Sequence, residues 1–111
     1  MSQQNWVAVC HLNDIVPYTG VCAEVGAHQV AVFRFGQNDV YAISNYDPFG
    51  KANVLSRGLV GDIKGNKVVA SPLYKQHFCL DSGRCLEDDF MRVPTYQVRL
   101  TDDQMIEVLN P

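Results

Sequence analysis

Apolar and polar residues alternate along this chain in short runs, and each run ends where Gly, Asn or Asp gather. Stretches rich in Val, Ile, Phe and Tyr fall at 6–10, 21–25, 29–35, 39–44, 59–63, 67–71, 76–80, 84–86, 96–100 and 105–109. Such β-branched and aromatic runs, bounded by turn formers, predict about nine short antiparallel strands. The last pair alternates most cleanly, with Tyr96, Val98 and Leu100 facing one way and Gln97 and Arg99 the other. Gly26-Ala27-His28 and Gly65-Asn66 read as hairpin connections, and Gly36-Gln37-Asn38 and Thr101-Asp102-Asp103 as polar turns.

Helical periodicity is weak everywhere. Only 14–18 and 86–92 are able to carry a helical turn, and neither has the length of an amphipathic helix. Residues 45–57 read as a long irregular connection. The expected class is therefore all-β, an antiparallel sandwich or small barrel, occupying 1–111 as a single domain without repeat or linker.

Composition narrows the possible partners. With 47% hydrophobic residues the chain can bury a core, and its net charge of −3, with Lys and Arg scattered singly, offers no basic stripe for nucleic acid. The opening MSQQNWVAVCHLND has no basic start and long apolar run, and no later stretch is long enough to span a membrane, so a cytoplasmic protein is expected. There Cys10, Cys22, Cys79 and Cys85 would remain thiols.

Two segments share a setting: 41–49, ending Asn45-Tyr46-Asp47-Pro48-Phe49, and 68–74, ending Ser71-Pro72-Leu73-Tyr74. Each follows a strand and each has a proline at its bend. Their spacing, with His77-Phe78-Cys79-Leu80-Asp81-Ser82-Gly83 after the second and Val54-Leu55-Ser56-Arg57-Gly58-Leu59 between them, resembles the paired cluster-binding loops of Rieske iron–sulfur domains over about 40–86. The Rieske-like fold is thus the expected architecture. Carried over by position, the four ligand places fall on Asp47, Phe49, Ser71 and Tyr74. A Rieske cluster takes two thiolates and two imidazoles, which these side chains do not supply. A ligand-free Rieske-like chain with these strings, and with the opening Trp6 strand, is similar to the small-subunit family of NADH-dependent assimilatory nitrite reductases.

The resemblance implies an accessory, cofactor-free subunit of an oxidoreductase that reduces nitrite to ammonium. Its partner would be a large subunit carrying FAD, siroheme and an iron–sulfur cluster, where the catalytic centres would lie. Tyr46, Phe49, Leu73, Tyr74 and Lys75, with Lys51 nearby, would form the loop tip that docks on it. Aromatic and aliphatic side chains suit a contact patch, and equally suit filling the space of a missing cluster. The alternatives are a Rieske-type ferredoxin or a binding module serving another oxidoreductase.

Other chemistry-bearing residues have plainer readings. Asp47 ahead of a proline is a turn-capping residue more readily than a catalytic acid. His77 and Cys79 share a strand face, and a turn at Asp81-Ser82-Gly83 would set Cys85 opposite Cys79, giving three soft ligands without a paired zinc motif. His11 and His28 read as solvent-facing turn residues, and Arg34, Arg57, Arg84, Arg92 and Arg99 as a solvated strand face.

Overall fold

The structure, a computed structural model, describes residues 5–111. Its organising strand is β3 (His28–Phe35), which is buried at every residue from Val30 to Arg34. A strand with one wet face would alternate; this one is a wall between two cores. Val30 and Val32 enter one apolar cluster, Ala31 and Phe33 the other. The wall is a four-stranded antiparallel sheet in which β3 pairs with β2 (Thr19–Val25) and β4 (Asp39–Ser44), and β10 (Thr95–Tyr96) adds to β4.

The first core closes against β1 (Asn5–His11), β12 (Met105–Asn110) and β11 (Val98–Leu100), a three-stranded sheet that supplies Ile106 and Val108. The second closes against β7 (Leu59–Ile63), β8 (Asn66–Ala70) and β9 (His77–Cys79), which supply Val69 and Phe78. A two-stranded ladder, β5 (Tyr46–Asp47) with β6 (Ala52–Asn53), sits between β4 and β7 in the chain. All strand pairs are antiparallel, as expected. No helix among the described residues is long and apolar enough to cross a membrane.

Several boundaries differ from the sequence expectation for identifiable reasons. The first hairpin turns through Gly26-Ala27 alone, since Val25 already pairs with His28. The second turns at Lys64-Gly65 and not at Gly65-Asn66, because Ile63 pairs with Asn66 and both turn residues have positive φ (52° and 86°), as a type I′ turn demands. The span 45–57 is not irregular throughout: it holds the β5–β6 ladder and a 3₁₀ turn at Leu55–Arg57. The run at 96–100 keeps its alternation but divides at Gln97, so that Tyr96 stays with β4 while Val98 pairs with β12. The run at 84–86 forms only isolated bridges. The helical turn expected at 14–18 begins earlier, at Leu12–Asp14, where the His11 side chain accepts from the Asn13 N–H; no helix forms in 86–92.

Arg34 overturns its solvated reading. It is buried, and its Nε donates to Gln37 O (3.0 Å) while Nη1 donates to Ile15 O (3.0 Å) and Leu12 O (3.4 Å). Carbonyl dipoles surround the guanidinium and fasten the 3₁₀ turn to β3. Arg34→Ala is expected to lower the unfolding free energy by about 2–4 kcal/mol in a urea titration, because three carbonyls lose a charged donor. A loss well under ~1 kcal/mol would mean that water replaces the guanidinium freely.

Candidate functional site

The two proline-bearing loops are the same turn made twice. In the first, Lys51 N–H donates to Asp47 O (2.7 Å), and Asp47 Oδ1 accepts from the N–H groups of Phe49 (2.9 Å) and Gly50 (3.2 Å). In the second, Lys75 N–H donates to Ser71 O (3.1 Å), and Ser71 Oγ accepts from Leu73 N–H (3.2 Å). Pro48 and Pro72 occupy matching places, where a preset φ favours the bend. Lys51 and Lys75 close the two loops with φ of 55° and 67°.

One bond then joins the loops: Ser71 Oγ donates to Asp47 Oδ2, with both residues buried. A β-carbon on Gly50 would collide with Leu73 Cδ1, so the second loop's side chain lies directly on the first loop's backbone. Phe49 turns inward against Phe78, with ring centroids 6.1 Å apart, and packs on the second core. Tyr46, Leu73 and Tyr74 remain 42%, 46% and 64% exposed, which leaves them at the tip as a small apolar surface. Lys51 and Lys75 are exposed beside them. The tip is anchored below by Asn45, buried, whose N–H donates to Gln29 O (3.0 Å) and whose Oδ1 accepts from Ser56 N–H (2.7 Å).

Residues 5–108 match the family model described as a Rieske-like [2Fe-2S] domain. The nitrite reductase (NADH) small subunit of Escherichia coli strain K12 is 50% identical over 103 residues, covering 92% of this chain and 94% of that one. The chain belongs to the nitrite reductase (NADH) small-subunit family. A crystal structure from Mycobacterium tuberculosis, provisionally assigned as an NADH-dependent nitrite reductase small subunit, superimposes with a TM-score of 0.94 at 40% identity, covering 99% of this chain and 98% of that one. A Klebsiella oxytoca protein named nitrite reductase [NAD(P)H] large subunit is 42% identical over 100 residues, 90% of this chain and 10% of its own length.

The donor set of this small-subunit family member does not fit the cluster that its wider family description names. At the four loop positions stand a carboxylate and a hydroxyl bonded to each other, a phenyl ring in the core and an exposed phenol. None offers the sulfur or imidazole that holds two irons. Asp47 spends both side-chain oxygens on Phe49, Gly50 and Ser71, which is the turn role.

The second metal candidate does not assemble. Among the described residues no three His, Cys, Asp or Glu side chains gather to hold an ion. Cys85 bridges Phe78 and not Cys79, and lies buried in the core, where desolvation pushes its thiol up. Cys79 Sγ instead donates to Asp81 Oδ1 (3.2 Å). His77 is taken by Glu87: its N–H donates to Oε1 (2.7 Å) and its Nδ1–H to Oε2 (2.6 Å). Burial pushes the Glu87 carboxyl up, but the His77 backbone and ring donors outweigh it and hold the group below its ordinary value. Of the two histidines given no role, His28 is exposed and rests its ring 5.8 Å from that of Tyr96.

The loop-to-loop bond was hidden in the sequence, although a signal for it exists: Asp47-Pro48-Phe49-Gly50-Lys51 and Ser71-Pro72-Leu73-Tyr74-Lys75 repeat one framework of polar residue, proline, apolar residue and closing lysine. Ser71→Ala removes the donor and strands a buried carboxylate oxygen, so a loss of about 2–4 kcal/mol is expected in chemical denaturation. Ser71→Thr, which keeps the hydroxyl, is expected to lose less than half as much; equal losses would show that volume and not the bond is at stake.

Proposed function

We propose that this chain is the accessory small subunit of a cytoplasmic NADH-dependent nitrite reductase, holds no redox centre, and docks on the large subunit through the two-loop tip. FAD, siroheme and the iron–sulfur cluster that carry electrons from NADH to nitrite then belong to the large subunit. The observation that carries the reading is the tip itself. Two loops with the spacing of a cluster cradle are closed by an Asp47–Ser71 hydrogen bond, and they present Tyr46, Leu73 and Tyr74 outward. Aromatic side chains exposed on rigid loops are suited to an interface, because they bury large areas while losing little rotamer freedom.

The Klebsiella oxytoca relative supports the choice of partner, since a stretch similar to this chain is there part of a protein named as a large subunit. Phe49 does not belong to the contact surface in this reading, because its ring packs on Phe78. Its place in the tip is structural, and the docking set reduces to Tyr46, Leu73, Tyr74 and Lys75.

The reading predicts that Tyr46→Asp combined with Tyr74→Asp abolishes co-elution with the large subunit, while the thermal midpoint shifts by no more than a few degrees, because neither side chain belongs to a buried core. NADH-driven nitrite reduction by the mixture should fall to the level of the large subunit alone. Unchanged co-elution of the double variant would refute docking at this tip.

A further inference from the structure

Charge is unevenly placed on this molecule. The chain has twelve Asp and Glu residues against nine Lys and Arg, yet Asp47 is the only acid within 45–58 or 71–76. That one carboxylate is buried and bonded to Ser71. The exposed ionised groups carried by the two loops are therefore all cationic: Lys51, Arg57 and Lys75. On an acidic protein this is a local reversal of sign.

The backbone makes two of these cations more telling. Lys51 and Lys75 both stand in the left-handed region, at φ 55° and 67°, as the closing residues of matching turns. L-residues with a β-carbon disfavour that region and glycine does not, so glycine would close either loop more easily. Tyr18, Lys64 and Gln104 share the conformation outside the two loops, Lys64 in the type I′ turn of an exposed hairpin and Gln104 in the turn that its N–H closes on Thr101 O. Lys51 and Lys75 differ in closing two matching turns that are bonded to each other. Strained non-glycine residues cluster where a side chain is needed for function. Neither Lys51 nor Lys75 makes an ion pair with a carboxylate among the described residues, whereas Lys67, Arg84 and Arg99 do. Both ammonium groups thus lack a carboxylate partner among the described residues, and in the chain each lies within a few residues of the exposed Tyr46, Leu73 or Tyr74.

We propose that Lys51 and Lys75 are a paired cationic contact that engages carboxylates on the large subunit, on either side of the apolar patch that the tip covers. The inference rests on the docking reading above and adds the chemistry of the partner's face: an apolar depression with an acidic rim. Complementary charge at a rim acts mainly on encounter rate and on orientation, while the apolar centre sets residence time. Two cations about a pseudo-symmetric pair of loops also fix which way round the tip lands.

The test is titration of the full-length chain onto its large subunit by calorimetry and stopped flow, at low and raised salt. Lys51→Gln with Lys75→Gln removes the charges, and Lys51→Gly with Lys75→Gly removes charge and strain together. Both double variants are expected to bind roughly tenfold more weakly at low salt, chiefly through a slower association, and to lose most of the salt dependence seen with the native chain. The glycine pair should keep or raise the native thermal midpoint, since the left-handed backbone suits it. Native affinity and native salt dependence in both variants, with Tyr74→Asp still weakening the complex, would overturn the lysine contact and leave tip docking intact. Native binding by the lysine variants and by Tyr74→Asp alike would overturn both.

Discussion

The architecture depends on a strand that has no wet face. Because β3 is buried from Val30 to Arg34, each of its successive side chains must satisfy a different core, and its neighbours are placed by that demand. Ala42 and Ile43 of β4 divide in the same way between the two clusters. Removing apolar area from water on both faces stabilises a strand about twice as much as the usual one-sided burial. It also fixes register, since a slip by one residue would exchange the contents of both cores. From the end of β4, Asn45 ties the first loop back to the Gln29 carbonyl, so the loop tip is referenced directly to the wall.

On this base the tip is held together by short-range polar geometry. Each loop satisfies its own backbone with an Asx- or Ser-type turn and an i+4 closure, and the Ser71–Asp47 bond then makes the pair one object. In a buried setting such a charge-assisted bond is stronger than a neutral one, and correspondingly costly to break on one side. Within the Rieske-like frame, the carboxylate–hydroxyl contact stands at two of the four places where the family resemblance puts cluster ligands. A side chain facing inward at the third place, Phe49, extends the core toward the tip, and Tyr74 at the fourth faces outward. Phe49 therefore fills space between the loops and the core, while Tyr74 stays on the surface that the proposed docking would use.

Strand positions were legible because β-branched runs and turn residues punctuate the chain, and the two-loop framework was legible because its prolines and flanking strings survive. What failed were features set by partners distant in sequence. Arg34 looks like a polar strand residue until the carbonyls of Leu12 and Ile15 are brought to it. Cys85 looks able to face Cys79 until the bridge to Phe78 turns it inward. The Lys64-Gly65 turn was displaced because lysine is a poor indicator of positive φ. In the site, four ligand-equivalent positions were carried over by position from the Rieske resemblance, but the bond between two of them and the inward turn of Phe49 depend on side-chain geometry that the resemblance does not encode.

The division of the 96–100 run at Gln97 has a mechanical meaning. One extended segment lends Tyr96 to the wall sheet and Val98 to the sheet that caps it, while the Gln97 carbonyl accepts from Leu109 N–H (2.9 Å) at the crossing. The two layers share a stitch, so neither can peel from the other without tearing hydrogen bonds in both. Thermal motion is thereby pushed toward breathing of the whole body and away from hinging between layers, so the loop that leaves β4 starts from a fixed base.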